Sequence, residues 1–574
     1  MPKMNKRWVI SDRIPAHVDE ALSSFPPFFR QILYARGVLD SGAAAAYLEG
    51  RVESGQDDPF LLKDMRDTVE RLKWAIQHKE QIAVYGDYDV DGVTATALMT
   101  QVLRSLGAEV ISYIPNRFEE GYGVNTEALD YLAGLGVRLI ITVDCGIRSP
   151  REAEYAKTLD VDLIISDHHH PGDELPDAYT VVCPKQPGCE YPYKDLAGVG
   201  LAYKIAQALF CVMPRDGLRA EDWLDLVAIG TVADVVPLTG ENRSLVRQGI
   251  DIMRASALRN RPGLCSLANV ARVKINQLSA GDIAFMIGPR LNAAGRLNTA
   301  LDSLNLLLCE QFEEAGLLSQ NLDNQNRERQ EITRKTQEDA LNTMSGREAD
   351  SILFAFNESY SSGIVGLVAS RLVDTFYRPA VVGHIDGELA RASCRSIPEF
   401  HITQALDQCG DLLVRHGGHA LAAGFTVRTE NIPALVDRLG SIAQQELAAQ
   451  ELRPVLRADQ EIPLEKLRPE LVTTFLRYLD RLQPTGQGNP DAVFISRDLE
   501  VLHSRCVGGE KQHLKLTVRA GKIAFDAIAF RQGYRAENLP GRIDLLYNIE
   551  LNEFNGKSSL QLNVRDIKPA GESD

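Results

Sequence analysis

Residues 81–92 read QIAVYGDYDVDG: a short apolar, strand-forming run breaks at Gly86 into three aspartates at alternate positions, Asp87, Asp89 and Asp91. Four more such runs follow, EVISYIP (109–115), VRLIITVD (137–144), VDLIISD (161–167) and AYTVVCP (178–184). Between them, stretches such as VTATALMTQVLRSLG (93–107) and NTEALDYLAGLG (125–136) carry apolar residues at helical spacing. This alternation predicts an open parallel sheet with helices on both faces. Several runs close on a polar residue, namely Asp87, Asn116, Asp144 and Asp167. Ligands in such sheets bind beyond the carboxyl ends of the strands, so these residues mark the candidate site.

The aspartate triplet resembles the opening of an EF-hand loop, which needs Glu at its twelfth position. Counted from Asp87 the twelfth residue is Leu98, and a strand precedes the loop, so that reading fails. Three carboxylates crowded at a strand end repel one another unless cations neutralise them. Asp144 in ITVDCG would alone read as a helix N-cap as readily as a ligand. SDHHHP places Asp167, His168, His169 and His170 directly after a strand, a donor set that suits borderline divalent metals. Asp234 interrupts the apolar GTVADVVPL (230–238) and needs a partner there, a metal ion or a capped N–H. Carboxylates and imidazole from separate strand ends can hold two divalent ions about 3.5–4 Å apart, which points to phosphoester hydrolysis.

Outward from this core, FFRQILYARG (28–37) and Ala43–Ala46 suggest a helical lead over 1–50. The stretch 196–305 reads as mostly helical, with GPRLNAAGR (288–296) inside a Gly/Asn/Arg-rich loop. QNLDNQNRERQEITRKTQEDALNTM (320–344) is polar nearly all round and predicts a solvent-exposed connecting helix within 306–345. SILFAF, SSGIVGLVASRLVDTF, PAVVGHI and LARASCRS renew the β-α-β pattern over 346–450, ending in the Gly-rich GGHALAAGF. From 455 to 574, closely spaced strands separated by GG, AG and NG signals suggest a small OB-type barrel. Its Phe494, Phe525, Phe530, Tyr547 and Phe554 are candidates for base stacking or for barrel core.

With 574 residues, 44% hydrophobic and 24% charged, the chain has material for roughly three or four domains. Lys and Arg number 62 against 78 Asp and Glu, a net −16 that excludes nucleic-acid binding through bulk positive charge. The segment 455–574 holds 17 basic and 17 acidic residues, so the whole excess of acid lies in the first 454 residues, where the motifs are. Nine cysteines without a CxxC pair fit neither a disulfide framework nor a zinc ribbon. The basic start MPKMNKRWVISDRIP lacks an apolar signal core, and no run approaches the ~18 apolar residues of a membrane span. The expectation is a soluble, cytoplasmic protein.

GDYDVDG, VDCG, SDHH and VADVVP, followed in order by GPRLNAAGR and GGHALAAGF, resemble the DHH phosphoesterase superfamily with its DHHA1 companion domain. More narrowly they resemble its RecJ family of bacterial single-strand-specific 5′→3′ DNA exonucleases. The resemblance implies a DHH parallel-sheet domain (51–305) and a DHHA1 domain (346–450) joined by the long helix, plus a C-terminal OB-fold. It implies two divalent ions, Mn²⁺ or Mg²⁺. Asp87, Asp89 and Asp144 would hold one ion, and Asp91, Asp144, His168 and Asp234 the other. His169, with Asp167, would face the scissile phosphate. Where many relatives carry a His four residues before the second carboxylate, Tyr85 stands here, and Asp87 is expected to serve instead. Arg117 and Tyr122 would contact single-stranded DNA, Arg290 and Arg296 would grip its backbone, and the strand would thread between the two α/β domains. Ser393 and Arg395 would form a 5′-phosphate pocket, with Gly417, Gly418 and His419 as the DHHA1 loop. A single-stranded-DNA-binding protein and a RecQ-type helicase are the partners the resemblance suggests. Two other readings are a small-substrate phosphodiesterase or pyrophosphatase and a catalytically silent DNA-binding scaffold.

Overall fold

The structure, a computed structural model, describes residues 6–572 except 51–54, 56, 118, 122, 256–260, 345, 347–349, 468 and 555–556. The chain divides into two compact units. One comprises Trp8–Asn292, Thr299–Asn321 and Arg457–Asp574, the other Met1–Arg7, Ala293–Asn298 and Leu322–Leu456.

In the larger unit the five apolar runs form five parallel strands in the order Glu109–Tyr113, Gln81–Tyr85, Leu139–Val143, Asp162–Ser166, Thr180–Val182. The first strand in sequence therefore lies between the second and third, and the direction of winding reverses beside it. A crevice opens at such a switch point, beyond the strand ends that carry Asp87 and Asp144. Leu139–Val143 is buried throughout, as a central parallel strand covered on both faces requires.

The same unit contains the C-terminal barrel. Strands Phe494–Val507, His513–Ala520, Ile523–Ala529, Lys557–Pro569 and Arg542–Phe554 pair in that order, and the last pairs back with the first. Closure removes the free edges. Phe494, Phe525 and Tyr547 are barrel core, Phe530 is half exposed, and the Phe554 side chain lies outside the described residues. Helices Pro27–Ala35 and Ser41–Glu49 from the N-terminal lead contribute Phe29, Ile32, Leu33, Ala44 and Leu48 to the same core. Phe28 stacks on Phe475 with centroids 4.2 Å apart.

Buried Arg243 donates to the carbonyls of Tyr47, Arg481, Leu482, Gln483 and Pro484, over 2.7–3.1 Å. Five backbone acceptors satisfy the cation, and burial holds its pKa below the usual value.

The smaller unit carries a mixed sheet in the order Leu413–Gly418, Ala422–Arg428, Leu389–Arg395, Ala380–Asp386, Leu353–Asn357. Only the last pair is parallel. Two expectations need correction. The 32-residue helix Phe312–Thr343 is not exposed all round: Leu322, Asp323, Asn326, Thr333, Thr336 and Ala340 form a buried stripe, and Ala340 joins the core beneath helix Val365–Phe376. Short polar side chains line that stripe, so hydropathy alone misses it. The stretch expected as a loop is helix Gly288–Leu297, which continues directly from the π-turn Ile283–Ile287. Its Ala, Arg and Leu residues favour helix, and Gly288 allows close packing, since a Cβ there would lie 3.5 Å from that of Ala233.

Candidate metal centre and phosphate pocket

The acidic motif leaves the first strand and at once begins helix Val90–Ser105. Asp89, the N-cap, accepts from the amides of Asp91 and Gly92. Gly92 is needed here, because a Cβ would lie 2.6 Å from the Asp87 backbone. Asp91 points back to the N-terminus of helix Gly198–Val212, where the amides of Gly198 and Val199 donate to its two oxygens at 2.6 and 2.8 Å. Gly198 is also the floor under Asp144, since a Cβ at 198 would sit 2.5 Å from the Asp144 Cβ and 2.6 Å from its Oδ1. Asp144 itself has φ +64°, a left-handed turn off the third strand, and its amide donates to the Ser166 carbonyl.

His168 Nε2 stands 3.2 Å from Asp144 Oδ1, 3.6 Å from Asp234 Oδ2 and 3.9 Å from Asp91 Oδ2. Three sets of donor atoms lie within 4.8 Å of one another: Asp87, Asp89, Asp144; Asp91, His168, Asp234; and Asp144, His168, His169. Asp144 and His168 each belong to two of them. Asp87 Oδ1, Asp144 Oδ1 and both ring nitrogens of His168 are buried without a hydrogen-bond partner. Burial, then Asp89, pushes Asp91 up to about 7. Burial, then Asp91, pushes Asp234 up to about 9. Asp87 and Asp144 are also raised, chiefly by burial. Burial, then His169, lowers His168 to about 3, which keeps its imidazole neutral and able to coordinate. Carboxylates too costly to ionise together, orphaned acceptors and a neutral imidazole fit divalent cations.

Asp167 faces its own turn. Its Oδ1 accepts from the His169 amide and lies 2.7 Å from His169 Nδ1, and its Oδ2 accepts from the Ile147 amide. Burial opposes a charge on each partner, but their mutual bonding prevails, so His169 is raised and Asp167 lowered. The pair orients His169. The Arg117 guanidinium lies 4.9 Å from the Tyr88 ring centroid, near enough for its charge to favour ionised Asp87. Tyr122 lies outside the described residues. Arg290 donates to the Met286 carbonyl within its own helical stretch.

Sequence reasoning missed Gly198, whose partners Asp144 and Asp91 lie far upstream, although the GVG opening an apolar helix run was a signal. It also missed Lys185, a cation felt by Asp234 and His168.

The remaining candidates belong to the smaller unit. Ser393 and Arg395 lie on strand Leu389–Arg395 beside the first turn of helix Val365–Phe376. A Cβ on Gly366 would be 3.2 Å from Arg395 Nη2 and 3.4 Å from Ser393 Oγ, so the guanidinium, the hydroxyl and a helix N-terminus converge. Arg296 donates to the Gly363 carbonyl, in the turn before that helix. Gly418 is forced by close approach, a Cβ there lying 2.4 Å from the Ala422 carbonyl, whereas a Cβ on Gly417 would touch nothing within 4 Å. The His419 amide donates to the Ala422 carbonyl, and the His419 carbonyl accepts from Thr403 Oγ1.

Comparison with known proteins adds three family models: DHH family, N-terminal domain, over 81–231; DHHA1 domain over 349–445; and RecJ OB domain over 458–566. The single-stranded-DNA-specific exonuclease RecJ of Bacillus subtilis is 38% identical over 94% of this chain and 68% of its own length. Its namesake from Salmonella typhimurium is 36% identical over 96% of this chain and 97% of its own length. The crystal structure of RecJ from Thermus thermophilus in complex with Mn²⁺ matches with TM-score 0.83 and 28% identity, over 99% of this chain and 80% of that one. The Mg²⁺ complex of RecJ from that organism matches with TM-score 0.77 and 27% identity, over 98% and 79%.

Proposed function

The chain belongs to the RecJ family of single-stranded-DNA-specific exonucleases, and from that membership and the geometry above we propose a metal-dependent enzyme that removes nucleotides from the 5′ end of single-stranded DNA. The observation that carries the reading is the chain of donor groups linked through Asp144 and His168, with buried oxygens and imidazole nitrogens left unpartnered.

Asp87, Asp89 and Asp144 would hold one divalent ion, and Asp91, Asp144, His168 and Asp234 the other, Mn²⁺ or Mg²⁺. Bound there, the two ions supply water activation and neutralise the charge that builds on the phosphate. The chain's own residues prepare this. Amides of Gly198 and Val199 fix the Asp91 carboxylate before any ion arrives. Asp167, 2.7 Å from His169 Nδ1, would hold its proton there and leave Nε2 to face the scissile phosphate. Arg117 offers a cation to the neighbouring phosphate. Ser393, Arg395 and the N-terminus of helix Val365–Phe376 would receive the terminal 5′-phosphate, as an anion site of this composition does. Arg290, Arg296 and His419 would bear on the DNA backbone.

On the barrel, Phe530, edge-on to the His513 ring at 5.3 Å, and Tyr534 are half exposed, and they would stack bases of a long strand. A substrate of one or two nucleotides has no use for that surface, which sets aside the small-substrate reading. Nine free cysteines suit a reducing cytoplasm, and no described helix is long and apolar enough to cross a membrane. Repair and recombination are the proposed setting, with single-stranded-DNA-binding protein and a RecQ-type helicase as partners to be tested by pull-down.

The deciding experiment is Asp144→Ala assayed on a 5′-labelled single strand with Mn²⁺. The expected loss is roughly 10³-fold or more in kcat, about 4 kcal/mol of barrier, with metal-free DNA affinity retained. Near-normal turnover in a folded variant would remove the two-ion assignment.

A further inference from the structure

The loop that carries Arg117 is tied to the sheet by two tyrosine hydroxyls. Tyr85 and Tyr113 are the last residues of adjacent strands and register partners, and their rings stack with centroids 5.3 Å apart. Tyr85 is fully buried. Its hydroxyl donates to the Gly123 carbonyl at 2.9 Å and accepts from Asn125 Nδ2 at 3.1 Å. The Tyr113 hydroxyl donates to Glu120 Oε2 at 2.6 Å. The Glu120 carboxylate also accepts from Asn125 Nδ2 at 3.1 Å and from the Asn116 amide at 2.7 Å. The beginning, middle and end of the loop are thus closed into one hydrogen-bonded ring on the strand ends. Arg117 follows Asn116 directly, and its guanidinium lies over Tyr88 of the acidic motif.

A phenyl ring at position 85 would fill the same space and keep the stack on Tyr113. What the hydroxyl adds is the tie to Gly123 and Asn125, a buried polar connection that serves the loop rather than the core. Resting on the reading of the acidic cluster as a nuclease site, we infer that Tyr85 is a positioning residue: through the Asn125–Glu120 ring it holds Arg117 where a substrate phosphate meets the cluster. Tyr113 supplies the second anchor of the same ring.

The test is Tyr85→Phe, Arg117→Ala and the double variant, each assayed for kcat and KM on a short 5′-phosphorylated strand, with the Mn²⁺ activation midpoint measured alongside. Tyr85→Phe should raise KM about three- to tenfold, as expected when the hydroxyl's two buried hydrogen bonds are lost, with kcat within about twofold and the Mn²⁺ midpoint unchanged. In the Arg117→Ala background the same substitution should add nothing to KM, a non-additivity that a merely structural role would not produce. Tyr113→Phe should repeat the pattern by removing the other anchor. An unchanged KM in Tyr85→Phe where Arg117→Ala raises it overturns the brace itself. Unchanged KM in both overturns the inference differently, by removing the phosphate contact the brace serves.

Discussion

Each α/β domain sets a helix N-terminus beside strand-end side chains, and the two use it differently. In the parallel-sheet domain, the amides that open helix Gly198–Val212 are occupied from within by the Asp91 carboxylate. In the mixed-sheet domain, the first turn of helix Val365–Phe376 faces the hydroxyl of Ser393 and the guanidinium of Arg395. The same backbone dipole fixes an internal anion in one case and, on the proposed reading, admits an anion from the substrate in the other. On the same reading, the anion held internally becomes part of a metal cage. A helix end flanked by a cation and a hydroxyl suits recognition.

The largest way to break this contrast is Gly198→Ala. The added Cβ cannot coexist with Asp144 in its present place, so the carboxylate or the helix must shift by about an ångström. Turnover should fall roughly 10²-fold while circular dichroism and the unfolding midpoint change little. Wild-type kcat would show that the fit of Asp144 to Gly198 has no bearing on catalysis. Arg395→Ala acts on the helix end of the mixed-sheet domain. The preference for a 5′-phosphorylated over a 5′-hydroxyl strand should drop about tenfold to a hundredfold, the value of a charge-assisted hydrogen bond, with little change on the hydroxyl substrate. An unchanged ratio of rates would place the terminal phosphate elsewhere. The smallest effect belongs to the barrel, where the proposed contacts are aromatic faces rather than a helix end. Phe530→Ala and Tyr534→Ala should each weaken metal-free binding of a long strand about fivefold and leave a short one unaffected. Equal losses on both lengths would remove the barrel from the proposed track. Point variants are needed here, because deleting the barrel would strip helices Pro27–Ala35 and Ser41–Glu49 of their core.

All five strands of the parallel sheet lie within the apolar runs, since the strands buried on both faces, Leu139–Val143 above all, are written as continuous local strings, and even the half-exposed edge strand Glu109–Tyr113 keeps an apolar run. The chemistry at their ends was equally local: Asp87, Asp89 and Asp91 fall in one motif, His168 and His169 in another. Long-range fit was harder to read. The GVG at 198–200 signals a tight helix start but not that Gly198 passes beneath Asp144, and nothing in DHHH separates Asp167, which braces its neighbour, from His168, which faces the acidic cluster. Helix Gly288–Leu297 was hidden by its glycines, of which Gly288 serves close packing rather than a turn. Among the barrel aromatics, alternation along the strands could not say which face was inward, and three of the four described side chains proved to be core.

The core shared by the first and last segments of the chain also orders events in time. Val18, Phe29, Ile32 and Leu33 emerge from the ribosome early, yet the surfaces they bury against, among them Phe494, Tyr547 and Val564, are made more than 400 residues later. At about 5–20 residues per second, those helices wait roughly half a minute to one and a half minutes with their apolar faces uncovered. The parallel sheet between them can complete its own local pairings meanwhile. These helices are therefore synthesised long before they can be packed, and nascent chains stalled before residue 560 should be the form most dependent on chaperones.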